Sequence, residues 1–340
     1  MGISDDQRRV SFAFGAIDTS DVFSSSDWQR LASLCSIDDP APLRVLDDRR
    51  AKNLLAQTDI LVTGWGCPPI MSGVLADAPR LKLIAHAAGS VRGLVSAAVF
   101  ERGIIVTNAA DANAIPVAEF TLAAILLANK QVLAEARRYR GERRALNVYT
   151  DTKTSAGNYG KIVGIIGASR IGRRVIELLR PYDFEVLLSD PFVDAAEAVV
   201  LGVELCGIDE LLRRGDVVSL HAPSLPATRH MIDARALTLL RDGAVFINTA
   251  RGALVDQEAL ILELQSGRIS AALDVTEPDV LPPDSPLFEL DNVLLTPHIA
   301  GAIGTERHRF GRLIVDEIER FLTGARLRHA IDPKTLDRQA

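Results

Sequence analysis

Three side chains stand just past apolar runs in the second half of the chain. Arg251 follows Phe246-Ile-Asn-Thr-Ala250, Glu277 follows Leu273-Asp-Val-Thr276, and His298 follows Leu294-Leu-Thr-Pro297. If those runs are parallel strands, these are positions beyond the carboxyl ends, where open α/β sheets bind ligands. Reducing a carbonyl that neighbours a carboxylate needs a cationic anchor, a proton donor and a group that sets the donor's pKa. Arg holds a carboxylate in bidentate fashion and keeps its charge. His donates to the developing alkoxide and recovers the proton in the reverse direction, and a nearby carboxylate favours its imidazolium form. Each residue alone has a plainer reading: Arg251 as a surface turn residue, Glu277 as half of a common Glu-Pro loop pair, His298 as a loop histidine. Their joint occurrence in this order points to chemistry.

A second feature lies upstream. Gly167-Ala168-Ser169-Arg170-Ile171-Gly172 sits between the apolar run Lys161–Ile166 and a helix pattern over Ile171–Arg180. It nearly matches the dinucleotide fingerprint: Gly167 permits the tight turn, Gly172 lets helix and strand pack closely, and the helix N-terminus offers N–H groups to a pyrophosphate. Ser169 stands where the middle glycine is usual. Its hydroxyl either bonds a phosphate oxygen or its Cβ pushes the phosphate outward. Asp190 ends the next apolar run, 18 residues after Gly172. A carboxylate there accepts from ribose hydroxyls and repels an extra phosphate, so NAD is expected over NADP; the plainer reading is a turn-initiating Asp before Pro191.

The elements that must position these residues are legible as alternating strand and helix patterns. Strands are expected at Asp59–Thr63, Leu83–Ala85, Ile104–Thr107, Lys161–Ile166, Glu185–Ser189, Asp216–Leu220, Ala244–Asn248, Ile269–Leu273 and Asn292–Thr296. Such alternation predicts βαβ units, parallel sheets and helices on both faces. Residues 116–140 read as one helix of several turns opened by Pro116 near its first position, and residues 305–322 as a final helix. The chain's 340 residues exceed a single core, so two domains are expected. A net charge of -6 without a long basic run argues against nucleic acid. The longest apolar stretch, Phe120–Ala128, is too short for a membrane span, and the acidic start Met1–Asp6 lacks a secretory signal. Cys35, Cys67 and Cys206 are odd in number and far apart, as expected of buried free thiols in a reducing cytoplasm.

From about residue 55 to 325 the sequence resembles the D-2-hydroxyacid dehydrogenase family. The motifs that carry this are Val217-Val-Ser-Leu-His-Ala-Pro223 with Thr228-Arg229-His230, Asn248-Thr-Ala-Arg-Gly252, Leu273-Asp-Val-Thr-Glu-Pro278 and Thr296-Pro-His-Ile-Ala-Gly301. The resemblance implies that Arg251 binds substrate carboxylate and carbonyl, that His298 is the acid/base, and that Glu277 pairs with it. It implies NAD contacts at Gly167, Ser169, Arg170, Ile171, Gly172, Asp190, His221, Ala222, Pro223, Thr228, Thr249, Ala250, Asp274 and Gly301, with Asp274 near the nicotinamide carboxamide. It also implies that backbone N–H groups of Ala88, Gly89 and Ser90 hold the substrate carboxylate. The loop Ala87–Arg92 departs from the family's commoner alternating glycines. Gly89 still permits close backbone approach, Arg92 is an unusual charge, and Trp65 is either pocket lining or core.

The fold expected is α/β: two Rossmann-like domains with parallel sheets, an NAD-binding domain over 114–301 inserted into a discontinuous substrate domain of 1–113 and 302–340. The long helix after Pro116 and the segment near Gly301 are the expected hinges. The expected activity is NAD-dependent hydride transfer at C2 of a small 2-hydroxy or 2-oxo acid, without metal, in a cytoplasmic homodimer. A related formate-oxidising subgroup calls for Gln where Glu277 stands. An added regulatory domain is not expected. The alternative is a non-catalytic NAD-sensing protein of corepressor type.

Overall fold

The short apolar runs become strands whose alternate side chains enter two different cores. Val10 and Phe12, Ile60 and Val62, and Leu83 and Ala85 face one core, while Ala13, Leu61 and Ile84 face the other. Further along, Val218 and Leu220, Phe246, and Ala271 and Leu273 oppose Val217, Ile247 and Ala272. Period-two alternation between two buried faces is what helices covering both sides of a parallel sheet require. The computed structural model describes residues 7–15, 17–143, 147 and 156–334. The acidic segment 1–6 lies outside the described residues.

The chain divides into two compact units, Met1–Asn113 with Ala302–Ala340, and Ala114–Gly301. In the first unit β1 (Val10–Ala13), β2 (Ile60–Thr63), β3 (Leu83–His86) and β4 (Ile105–Asn108) form a parallel sheet in the order β1-β2-β3-β4. Isolated parallel bridges, Arg9 to Ser36 and Ala13 to Leu43, run a further segment along the free edge of β1. The carboxyl ends of β2, β3 and β4 are level, with Thr63 opposite His86 and His86 opposite Asn108.

The second unit holds seven parallel strands: β5 (Lys161–Ile166), β6 (Phe184–Ser189), β7 (Glu204–Leu205), β8 (Val217–Leu220), β9 (Val245–Asn248), β10 (Ser270–Leu273) and β11 (Val293–Leu295). Their order is β11-β10-β9-β8-β5-β6-β7. The chain leaves β5 toward β6 and returns to β8 on the opposite side, so the direction of winding reverses between β5 and β8. A crevice outside the carboxyl ends opens at such a point. A Cβ on Gly164 would collide with Leu211, so this glycine lets the helix Ile208–Arg214 lie close on β5.

Two helix expectations need correction. The first helix past β4 begins at Ala110, not at Pro116, and runs to Asn129 with the proline inside it. Asn108 Oδ1 accepts from the Ala110 N–H at 3.3 Å and anchors this earlier start; the proline ring leaves the carbonyl four residues back without its helical donor. The stretch 116–140 is also not one helix, because Gln131 takes a left-handed backbone (φ 54°) and a second helix, Val132–Glu142, starts after it. The helix Ala110–Asn129 is long and apolar enough by composition to cross a membrane, yet Val117, Ala118, Thr121, Ala124 and Ile125 are buried in protein. The C-terminal helix is His308–Thr323, preceded by a 3-10 turn at Gly304–Arg307. Cys35 is buried, while Cys67 and Cys206 are half-buried, and all three are free.

Polar residues collect where the apolar strands end. His86 and His221 are buried at the ends of β3 and β8. Burial pushes His86 down to about 4 and His221 to about 3. Both rings are therefore neutral in the folded protein at pH 6, whereas an unfolded chain begins to protonate them near pH 6.5. The unfolded state then binds more protons, so stability is lost as pH falls through 6.5 toward the folded values, at ~1.4 kcal/mol per pH unit for each ring. Urea denaturation at pH 7 and pH 5 is expected to show a weaker fold at pH 5, with a flatter dependence in His221→Asn. Identical pH dependence in the two proteins would remove His221 from this account.

Candidate active site

The Gly-rich turn fills the crevice between β5 and β8. Gly167 has φ 97°, and a Cβ there would stand 2.7 Å from the Ala222 nitrogen. A Cβ on Gly172 would run into the Gly167 carbonyl. The turn thus lies directly on the His221-Ala222 backbone, and neither position tolerates a side chain. Ser169 resolves its two readings as a cap: it precedes the helix Arg170–Leu179, and its Oγ accepts from the Gly172 N–H at 3.3 Å. The N–H groups of Ser169 and Ile171 take no acceptor among the described residues. His221 Nε2 lies 2.9 Å from Ser219 Oγ, while its buried Nδ1 has no partner among the described residues. Free helix-end donors, a cradle that a Cβ would fill and an orphaned ring nitrogen fit a dinucleotide.

Asp190 ends β6. Its Oδ2 accepts from the Ala168 N–H at 2.7 Å and its Oδ1 from the Phe192 N–H at 2.8 Å. The carboxylate is locked beside the turn, with lone pairs left for ribose hydroxyls. Pro223 and Thr228 belong to the loop past β8, where Thr228 Oγ donates to the Pro223 carbonyl at 2.6 Å and accepts from the Leu225 N–H at 2.9 Å. Thr249 shares a 3.0 Å hydroxyl contact with Thr121, both buried.

The catalytic candidates occupy neighbouring strand ends, because β9, β10 and β11 stand side by side. After β9, Asn248 shapes the turn: its Oδ1 accepts from the Ala250 N–H and its Nδ2 donates to the Arg251 carbonyl, both at 3.0 Å. The Arg251 side chain emerges exposed, with one N–H donating to the Ala250 carbonyl at 2.6 Å. A Cβ on Gly252 would collide with the Thr276 carbonyl and stand 2.6 Å from the Glu277 nitrogen. The arginine and glutamate loops are therefore in contact. Gln257 clamps the latter, accepting from the Glu277 N–H and donating to its carbonyl, both at 2.9 Å.

Asp274, at the end of β10, is buried and gathers the histidine loop. Its carboxylate accepts from the Thr296 hydroxyl at 2.7 Å and from the N–H groups of Ile299 and Ala300 at 2.8 Å. Its carbonyl accepts from the His298 N–H at 2.9 Å, and its own N–H donates to the Asn248 carbonyl at 3.0 Å. His298 sits at the apex of that loop in a left-handed conformation (φ 56°), exposed. Gly301 follows, half-buried, at the boundary of the unit.

Glu277 does not bond His298 among the described residues. Its carboxylate takes a 2.9 Å bond from Arg229 and lies 3.5 Å from His230 Nε2. Arg229 is the main cause that holds this carboxyl below the usual range. The guanidinium of the turn past Thr228 reaches the carboxylate, and a stronger charge-assisted bond forms there. Sequence reasoning quoted Arg229, His230 and Asn248 within motifs without giving them a role, and passed over Gln257. A polar residue ending an apolar strand was the available signal for Asn248.

In the other unit, the loop after β3 carries Ala88, Gly89 and Ser90. The Ala87 N–H donates to the Thr63 carbonyl at 2.7 Å, and the Ala88 carbonyl accepts from the Ala109 N–H at 2.9 Å. The N–H groups of Ala88, Gly89 and Ser90 have no acceptor among the described residues. Three consecutive N–H groups without acceptors are donors available to an anion. Trp65, past β2, is partly exposed, packs edge-on against Phe310 at 5.3 Å and lies under the Arg307 guanidinium at 5.9 Å. Arg92 is exposed.

Residues 122–300 match the family described as D-isomer specific 2-hydroxyacid dehydrogenase, NAD binding domain. The D-3-phosphoglycerate dehydrogenase of Methanocaldococcus jannaschii is 36% identical over 275 residues, 79% of this chain and 51% of that protein. The chain belongs to the D-isomer specific 2-hydroxyacid dehydrogenase family. It spans about half the length of the phosphoglycerate dehydrogenases it matches. The glyoxylate reductase of Korarchaeum cryptofilum is 31% identical, over 84% of this chain and 85% of its own. Among solved structures, a 2-hydroxyacid dehydrogenase from Ketogulonicigenium vulgare superposes with a TM-score of 0.76 at 25% identity, covering 96% of this chain and 98% of that one. The family carries an NAD-binding domain and two Rossmann-like domains.

Removing the Asp274 carboxylate strands two backbone donors and a hydroxyl. Asp274→Ala is expected to lower unfolding free energy by about 2–4 kcal/mol in urea titration, and a loss under 1 kcal/mol would mean that the His298 loop has other support. Asp190→Ser is expected to raise NADPH use relative to NADH by about tenfold or more, through removed charge repulsion. An unchanged ratio of kcat/KM values would take Asp190 out of coenzyme choice.

Proposed function

We propose that the protein is an NAD-dependent oxidoreductase that interconverts small 2-hydroxy and 2-oxo acids. The observation that carries this reading is the alignment of Arg251, Glu277 and His298 past adjacent strands β9, β10 and β11, in the unit that also holds the dinucleotide turn. A dinucleotide held by its pyrophosphate at Gly167–Gly172 would supply or accept the hydride at C2 through its nicotinamide. The helix-end N–H groups and Asp190 orient the dinucleotide, with His221–Pro223, Thr228, Thr249, Ala250, Asp274 and Gly301 as further contacts.

Arg251 holds the substrate carboxylate and polarises the carbonyl. The Ala88–Ser90 N–H groups of the other unit are donors suited to a carboxylate. His298 gives its proton to the carbonyl oxygen as the alkoxide develops, and takes it back in oxidation. Its exposure leaves it free to exchange that proton with water between turnovers. Glu277 is the carboxylate assigned to pair with His298. In the structure it bonds Arg229 and lies 3.5 Å from His230, so pairing with His298 requires it to leave Arg229. Substrates in the range of glyoxylate, hydroxypyruvate and phosphoglycerate fit this chemistry. The three free cysteines fit a reducing cytoplasm, and a homodimer is the assembly we propose.

The test is NADH oxidation against a panel of 2-oxo acids. Turnover of at least one member is expected; NADH binding without turnover on any would favour an NAD-sensing role instead. His298→Ala is expected to slow reduction by ~10²–10⁴-fold, the range for a positioned acid/base. Arg251→Ala is expected to raise KM and lower kcat together. Wild-type kinetics in either variant would exclude that residue from the mechanism.

A further inference from the structure

Trp65 and Arg307 take no part in the chemistry described above. Trp65 stands two residues past the end of β2. Its main chain is fixed there, since the Gly15 N–H donates to the Trp65 carbonyl at 2.8 Å and the Cys67 N–H closes the turn onto the Gly64 carbonyl at 3.1 Å. The indole is partly exposed and packs edge-on against buried Phe310. Phe310 and Arg307 are three residues apart where the C-terminal helix begins, so they share one side of it, and both reach the same ring. The Arg307 guanidinium stands over the indole, 5.9 Å from its centroid, where a cation is attracted to the ring face. Among the described residues this guanidinium has no hydrogen bond and no carboxylate partner, and its buried Nε is an unsatisfied donor. Glu306, next in sequence, is turned to the Ile303 N–H at 3.0 Å. Further along the same helix the arginines are paired, Arg312 with Asp27 at 3.7 Å and Arg320 with Glu317 at 3.8 Å.

The place of this cation in the first unit gives it a use. Thr63 and His86 are opposite each other at the level ends of β2 and β3, and the Ala87 N–H carries the pairing one residue further, to the Thr63 carbonyl. Trp65 and Ala88 each follow two residues past those ends. A Cβ on Gly64 would lie 3.8 Å from the Ala87 carbonyl, so the two loops leave the sheet in contact. The segment that leads to Arg307 starts beside the same loop: Asn113 Oδ1 accepts from the Ala302 N–H at 3.1 Å, and Asn113 Nδ2 stands 3.9 Å from where a Cβ on Gly89 would be. All of these residues belong to one unit. Neighbouring parallel strands are ~4.8 Å apart, a separation that a short carbon chain with an anionic group at each end spans. The three free N–H groups of Ala88–Ser90 and the unpaired guanidinium are therefore two anion-seeking features on one edge of the sheet.

We propose that Arg307, held over Trp65, is a specificity-determining residue that selects 2-oxo acids bearing a second anionic group, carboxylate or phosphate, beyond the carbonyl. This rests on the oxidoreductase reading above. The Ala88–Ser90 N–H groups take the carboxylate next to the carbonyl, and the guanidinium takes the far anion through a charge-assisted bond. Stacking on the indole orients the guanidinium before substrate arrives, which removes an ordering cost from association. Arg307 exchanges no proton with the substrate, so it acts on which acid binds more than on the hydride step.

The experiment measures steady-state reduction of two matched pairs, pyruvate against oxaloacetate and hydroxypyruvate against 3-phosphohydroxypyruvate, by wild type, Arg307→Met and Arg307→Lys. Each pair differs by one anionic group, a carboxylate in the first and a phosphate in the second, so the two arms separate the sources of the charge. Wild type is expected to favour the doubly anionic member of at least one pair in kcat/KM. Arg307→Met keeps an unbranched stem on the indole and removes the charge. It is expected to lower that preference about tenfold or more, the scale of one hydrogen bond to a charged group, chiefly through KM. Arg307→Lys returns the charge without the planar fork and is expected to recover part of the loss. A role confined to packing on Trp65 moves both members of a pair alike. An unchanged preference in Arg307→Met therefore overturns the assignment while the activity stands, and so does a wild type that favours the singly anionic member of both pairs. A wild-type protein inert toward every 2-oxo acid overturns the activity itself and this inference with it.

Discussion

The buried carboxylate of Asp274 is the constraint on which the catalytic face depends. A loop past a parallel strand has no ladder to hold it, so its backbone groups must find partners elsewhere or face water. Asp274 supplies them for its neighbour: Thr296, Ile299 and Ala300 all donate to its carboxylate, and its main chain links Asn248 on one side with His298 on the other. One residue thus ties the ends of three adjacent strands. The left-handed backbone at His298 is carried within this frame, which places an exposed imidazole at the apex of a loop that is otherwise pinned.

The same solution recurs along both sheets. Asn248 shapes the arginine turn, Asp190 locks the glycine-rich turn to the end of β6, and Asn108 starts the helix past β4. In each case a polar side chain closes an apolar strand and hydrogen-bonds to the loop beyond. Buried polar groups of this kind cost free energy unless satisfied, and here their satisfaction is what gives each loop its shape. Function is placed on loops, and rigidity is delivered to those loops by the last residue or two of the strands.

Much of this was legible beforehand. The strands from Asp59 onward were visible as apolar runs because burial on both faces leaves no polar alternation to confuse them. The glycine-rich turn was readable at Gly167 and Gly172, where backbone packing on His221 and Ala222 excludes any side chain. The helix start was not, since Pro116 lies within a helix that Asn108 opens two turns earlier. The break at Gln131 escaped notice because no glycine or proline marks that left-handed residue.

Residue type and order along the chain determined the α/β class, the dinucleotide turn and the set of groups available for chemistry, because each depends on local pattern: period-two burial, a Cβ-free turn, an ionisable residue after an apolar run. Which groups meet was decided by tertiary structure. Glu277 bonds Arg229 and lies 3.5 Å from His230, both nearly fifty residues away, and Gln257 clamps its backbone from another loop. No spacing along the chain encodes those contacts; they arise because parallel strands bring their distant carboxyl ends to one edge, where charge and hydrogen-bond geometry choose the partners.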